Sequence, residues 1–117
     1  MTDNTQDVCV ALMTAPSAEV AEQIVRELVE SGVVACGNII SGVTSIFRWQ
    51  GAVQREAEVM VVFKTVMSRT EQLVERVRAL HPYDVPELLV LPVALGNRAY
   101  IDWVQASVSG LRGEKQR

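Results

Sequence analysis

The chain has 117 residues, 49% of them hydrophobic, with a formal charge of -3. That fits one domain with a real core and excludes disorder, while 11 scattered Lys and Arg leave no basic footprint for nucleic acid. The polar, acidic start MTDNTQD is unlike a secretory signal, and the longest apolar run, LLVLPVAL, is too short to span a bilayer, so the expectation is a cytoplasmic protein without membrane insertion.

A polar tail is expected over residues 1–7, one domain over 8–108 and a second polar tail over 109–117. Residues 8–14, VCVALMT, are apolar on both parities and read as a strand covered on both faces. Ala15-Pro16-Ser17 opens a helix with Ser17 as N-cap; Val20, Ala21, Ile24, Val25, Leu28 and Val29 recur at helical spacing, and Gly32 stops it. Residues 33–49 form a second strand, with Val43, Ser45, Phe47 and Trp49 on one parity, and Gln50-Gly51 turns it into a long third strand over 52–66.

Ser68 and Glu71 have capping-box spacing, opening a helix whose Leu73, Val74, Val77 and Leu80 share a face and which ends before Pro82. Pro82 and Pro86 disfavour helix at the residues before them, so 81–86 reads as an extended connector. A fourth strand at 87–94 contains Pro92, which cannot donate to a ladder and belongs on an edge. A short C-terminal helix over 97–108 follows, with Asn97 as cap.

This order specifies an α+β fold, a ferredoxin-like split βαβ sandwich. Its antiparallel sheet has the order 4-1-3-2, with a long hairpin between strands two and three. Strands one and two are then separated by strand three, about 9.6 Å, which disfavours a Cys9–Cys36 bridge. No CxxC spacing suggests zinc, and both cysteines read as ordinary thiols. Strands one, three and four are apolar on both parities, yet two helices cover only one face of a four-stranded sheet. The third helix can cover part of the other face; a neighbouring subunit is the more economical cover, so a homo-oligomer is expected.

The segments LMTAPS, ELVESGVVACGNII, VTSIFRWQG, EVMVVFKT, LHPYDVPELLVLPV and NRAYIDWV, taken together from Val8 to Val108, resemble the CutA family of divalent-cation-tolerance proteins. The resemblance implies ferredoxin-like subunits assembled as a homotrimer, with the hairpin wrapped against a neighbour, and a role in tolerance of divalent metals, copper foremost. It also implies a likeness to the trimeric PII signalling proteins, which bind small effectors between subunits.

The family's copper proposal uses a cysteine at the end of the first strand and two histidines before Pro-Tyr; those positions are Met13, Leu80 and His81 here. His81 and the soft thioether of Met13 form a candidate weak site for copper or another divalent cation, but no closed ligand shell can be built there from one subunit. The opposing reading has the His81 imidazole capping a helix end.

By the same resemblance, Trp49, Glu56, Lys64, Tyr83 and Glu87 map to a ligand cleft at the subunit interface, suited to a small anionic or zwitterionic molecule or to a hard cation on the carboxylates. Glu56 and Lys64 are eight residues apart on one strand, about 26 Å, and meet only across subunits. Interfacial packing and ion pairing are the competing use of these side chains. No nucleophile–base motif or phosphate loop is recognisable, so no catalytic activity is expected.

Overall fold

The structure, a computed structural model, describes residues 7–108. The tails expected at 1–7 and 109–117 therefore lie outside the described residues, apart from Asp7. The elements run β1 (Val8–Ala15), α1 (Ala18–Glu30), β2 (Cys36–Trp49), β3 (Ala52–Val66), a 3-10 turn (Met67–Arg69), α2 (Thr70–Leu80), β4 (Leu88–Pro92) and α3 (Arg98–Val108). The four strands form one antiparallel sheet in the order β2-β3-β1-β4, which is the expected order read from its other end. Pro92 sits on the edge strand β4, where no ladder donor is required of it.

Local chemistry sets the first helix. Ser17 is extended, and its hydroxyl accepts a 3.2 Å hydrogen bond from the Val20 N–H. At the other end the Val33 N–H donates to Leu28 O and the Gly32 N–H to Val29 O, with Gly32 at φ +77. This Schellman closure throws Val33 and Val34 back into the core. The second strand accordingly begins at Cys36 rather than at 33.

The start of α2 departs from its expected capping box: no side chain caps it, and the chain enters through the 3-10 turn, where the Thr70 hydroxyl donates to Met67 O. The entrance to α3 is as expected, the Asn97 side chain accepting from the Ala99 N–H at 2.9 Å. β4 is shorter than the 87–94 anticipated, and residues 82–85 bend rather than run extended.

Helices α1 and α2 cover one face of the sheet, burying Ala11, Met13, Val59, Val61 and Phe63 against Ile24, Leu28, Leu73 and Val77. On the other face α3 covers one end only, packing Val104 and Val108 on Val8 and Val66. The rest of that second face has no cover from the described residues: Ile40, Leu89 and Leu91 are 48%, 58% and 45% exposed. Cys9 and Cys36 are both free thiols.

The β2–β3 hairpin turns at Gln50 and Gly51, both at positive φ, as a type I′ turn requires. Midway along it, Ser41 and Gly42 form a β-bulge, with Ile40 paired to Met60 and Val43 to Glu58. The extra residue changes the parity of β2. Cys36, Asn38 and Ile40 share the uncovered face before the bulge, and Val43, Ser45, Phe47 and Trp49 share it afterwards.

Candidate functional site

That parity change carries Phe47 and Trp49 to the same side as Glu56 and Glu58. The connector after α2 meets them there. Together they enclose a groove of ≈ 610 Å³ between the hairpin and the connector, lined by Thr14, Ser45, Phe47, Trp49, Glu56 and Glu58 on the strands and by Tyr83, Asp84 and Glu87 on the connector. Among the described residues that line it, four side chains are carboxylates, three are aromatic and none is basic.

His81 holds the connector in place. Its backbone N–H closes the last turn of α2 on Val77 O, but the imidazole points away from the helix. The Tyr83 N–H donates to Nδ1 at 3.1 Å, which leaves Nε2 carrying the proton and donating to Thr14 O at 2.7 Å. The ring is 7% exposed and stacks obliquely with Tyr83, 4.6 Å between centroids. The expected cap on the helix carbonyls is thus replaced by a strut from α2 to β1.

The Tyr83 hydroxyl donates to a Glu58 carboxylate oxygen at 2.8 Å. Glu58 is only 9% exposed, so this bond offsets much of the cost of enclosing a carboxylate. Burial, the Glu58 hydrogen bond and the charges of Glu58 and Glu56 push the Tyr83 phenol up to about 12. Tyr83 is therefore a fixed donor at neutral pH and not a phenolate base.

One chain thus brings together Trp49, Glu56, Tyr83 and Glu87. Lys64 lies elsewhere, as the strand rise requires: it sits across from Cys36 and Val10 and donates to the Asn38 side chain. The metal candidates are also apart from the groove. Met13 is wholly buried in the core beneath α1 and α2. Both His81 nitrogens are engaged, and the shallow recess beside its ring also contains Arg78. Among the described residues no group of three or more His, Cys, Asp or Glu side chains is placed to hold a metal ion.

Sequence reasoning missed Glu58, Phe47 and Asp84 as groove residues. Glu58 shares its parity with Glu56, but nothing local marks it as the partner of Tyr83, 25 residues away. For Phe47 the signal was Gly42, a glycine inside a strand, which marks a bulge.

Residues 9–107 match the family model described as CutA1 divalent ion tolerance protein. The divalent-cation tolerance protein CutA of Thermus thermophilus is 51% identical over 96 residues, which are 82% of this chain and 93% of that protein. A solved structure of Cut A1 from the same organism superposes with a TM-score of 0.85 at 48% identity, covering 87% of this chain and 99% of that one. Mouse Protein CutA is 42% identical over 83% of this chain, which spans only 55% of the mouse protein. An Archaeoglobus fulgidus structure, described as a periplasmic divalent cation tolerance protein CutA, gives a TM-score of 0.85 at 30% identity over 87% of this chain and 99% of that one. Among the described residues no helix is long and apolar enough to cross a membrane.

Proposed function

The chain belongs to the CutA1 divalent ion tolerance family, and from that premise we propose that it handles divalent cations as a homotrimer, copper foremost, with the acidic groove as its cation-facing site. The observation that carries this reading is the groove's lining: Glu56, Glu58, Asp84 and Glu87, with no basic side chain among the described residues of one chain that line it. Carboxylates around a partly enclosed space focus a negative potential and raise the local concentration of cations. Since no chelating set forms among the described residues of one chain, a neighbouring subunit supplies the remaining ligands. The exposed Ile40, Leu89 and Leu91 on the uncovered face support such an assembly.

Copper at His81 is the finer version of the family's role, and it carries a physical cost. A metal can take Nδ1 only if the Tyr83 N–H gives it up, or Nε2 only if the bond to Thr14 O is lost. Met13 contributes a thioether only if the core opens. Copper association at that position is consequently weak, and the groove carboxylates are the more accessible contact.

The proposed role is non-catalytic and cytoplasmic. His81 is committed to structure and Tyr83 is held protonated, so neither supplies a general base at neutral pH. Equilibrium dialysis of tag-free protein against Cu(II) and a hard divalent ion tests the cation reading. Glu56→Gln with Glu87→Gln is expected to lower uptake more than His81→Ala does. Unchanged uptake by the double variant would overturn it.

A further inference from the structure

Helix α3 rests on a small core of its own. Val104 and Val108 pack with Val8, Ala35 and Val66 in a cluster separate from the main core beneath α1 and α2. Polar contacts fix both of its ends. At the first turn the Tyr100 hydroxyl is 3.6 Å from the Cys36 sulfur on β2. At the last, Arg69 donates through Nε and Nη2 to Val108 O, at 3.1 and 2.5 Å.

Arg69 is not part of the helix it holds. It sits in the 3-10 turn that leads from β3 into α2, and its Nη1 donates to Gln72 Oε1 on α2 at 3.0 Å. The guanidinium therefore bridges the layer that covers one face of the sheet and the helix that lies on the other. Among the described residues the last turn of α3 has no basic side chain of its own. A cation at a helix C-terminus is stabilising, and here a distant element supplies it through a charge-assisted pair of hydrogen bonds.

The seat of α3 borders the uncovered part of the second face. Val93 packs against the same cluster as the half-buried Tyr100, Ile101 and Trp103, and Leu91 and Leu89 continue its row along β4. An element with a small separate core opens at a lower free energy than the whole fold. We propose that α3 is a latched assembly element. With Arg69 on Val108 O it stands as one wall of the interface between copies; unlatched, it leaves the subunit folded but the interface incomplete. This rests on the homotrimer reading given above. The coupling is reciprocal: a neighbour docked on the seated helix holds the latch closed by the same factor by which the latch strengthens docking.

The test compares wild type, Arg69→Ala and Arg69→Lys as full chains, by native-state hydrogen exchange at a concentration where the wild type is assembled and by sedimentation equilibrium on dilution. Arg69→Ala is expected to speed exchange across α3 as a block, roughly tenfold or more, while the central amides of β1 and β3 keep their protection. The concentration at which the assembly dissociates is expected to rise by roughly tenfold or more as well. Arg69→Lys, which keeps the charge but not the paired donation, is expected to fall between. A trimer that persists while α3 exchanges freely would overturn the coupling, and unchanged exchange of α3 would overturn the latch; both results leave the trimer reading standing. Loss of protection throughout the sheet in both variants would show that α3 is not a separate element, and would also overturn the proposal. A monomeric wild type would end the trimer reading, and the proposal with it.

Discussion

Both faces of this sheet are apolar, yet the described residues close only one of them. On the first, Ala11, Met13, Val61 and Phe63 are fully buried under α1 and α2. On the second, α3 reaches Val8 and Val66 and goes no further, leaving Ile40, Leu89 and Leu91 open beside a groove of carboxylates and aromatics. The strands are the same, so the difference lies in what packs on them. The covered face holds the main buried core of the subunit; the open face leaves apolar, aromatic and acidic side chains exposed.

The largest effect expected is on the covered face. Phe63→Ala removes a wholly buried ring and should destabilise the chain by about 3–5 kcal/mol in urea unfolding. Leu91→Ala on the open face should leave subunit stability nearly unchanged and weaken assembly instead. Equal losses of subunit stability would erase the contrast between the faces.

His81 is the strut that joins the covered side to the groove, and its removal is the next largest perturbation. His81→Ala leaves Thr14 O and the Tyr83 N–H without their partner, a cost of roughly 1–3 kcal/mol. It should also loosen the connector, seen as faster hydrogen exchange at Tyr83 and Asp84. A variant as stable and as protected as wild type would show that the strut does nothing.

Alkaline pH sharpens the comparison, because each face holds one group with a raised pKa. Burial pushes the Cys9 thiol up to about 11, and the Tyr83 phenol beside the groove is pushed up to about 12. Unfolded chains lose these protons near the ordinary thiol and phenol values, before the fold does. The stabilisation is therefore complete below those values and is lost as pH rises through about 11 for Cys9 and about 12 for Tyr83. Tyr83→Phe should abolish the late-titrating phenol in ultraviolet titration; a Tyr83 midpoint near the ordinary phenol value of about 10 would contradict its tie to Glu58.

The smallest effect is chemical. Cys36 is half-buried, with its sulfur 3.6 Å from the Tyr100 hydroxyl, whereas Cys9 is fully buried. A thiol reagent should modify Cys36 first and Cys9 only on unfolding. Reaction of both at one rate would mean that the sheet around Cys9 is not closed.

Much of this contrast is legible in the amino-acid sequence, since its signals are local. Ser17, Gly32, Gln50-Gly51, Pro92 and Asn97 each do in the fold what their backbone chemistry dictates, and the two-sided strands imply the uncovered face. The groove is legible only in part. Trp49, Glu56, Tyr83 and Glu87 converge, but the convergence depends on a parity change at Ser41-Gly42 and on a hydrogen bond between Glu58 and Tyr83, both set by pairing rather than by neighbours in the chain. The capping box at Ser68 fails for a similar reason: the 3-10 turn at Met67 sets the entrance to α2, and its Met67 N–H is spent on Asp7 O.

Sedimentation equilibrium at micromolar concentration, of wild type beside Leu89→Lys with Leu91→Lys, tests most directly whether other copies close the open face. The predicted result is a wild-type mass three times that of the 12.9 kDa chain, and a folded but dissociated double variant. A wild-type protein that sediments as a monomer would contradict it.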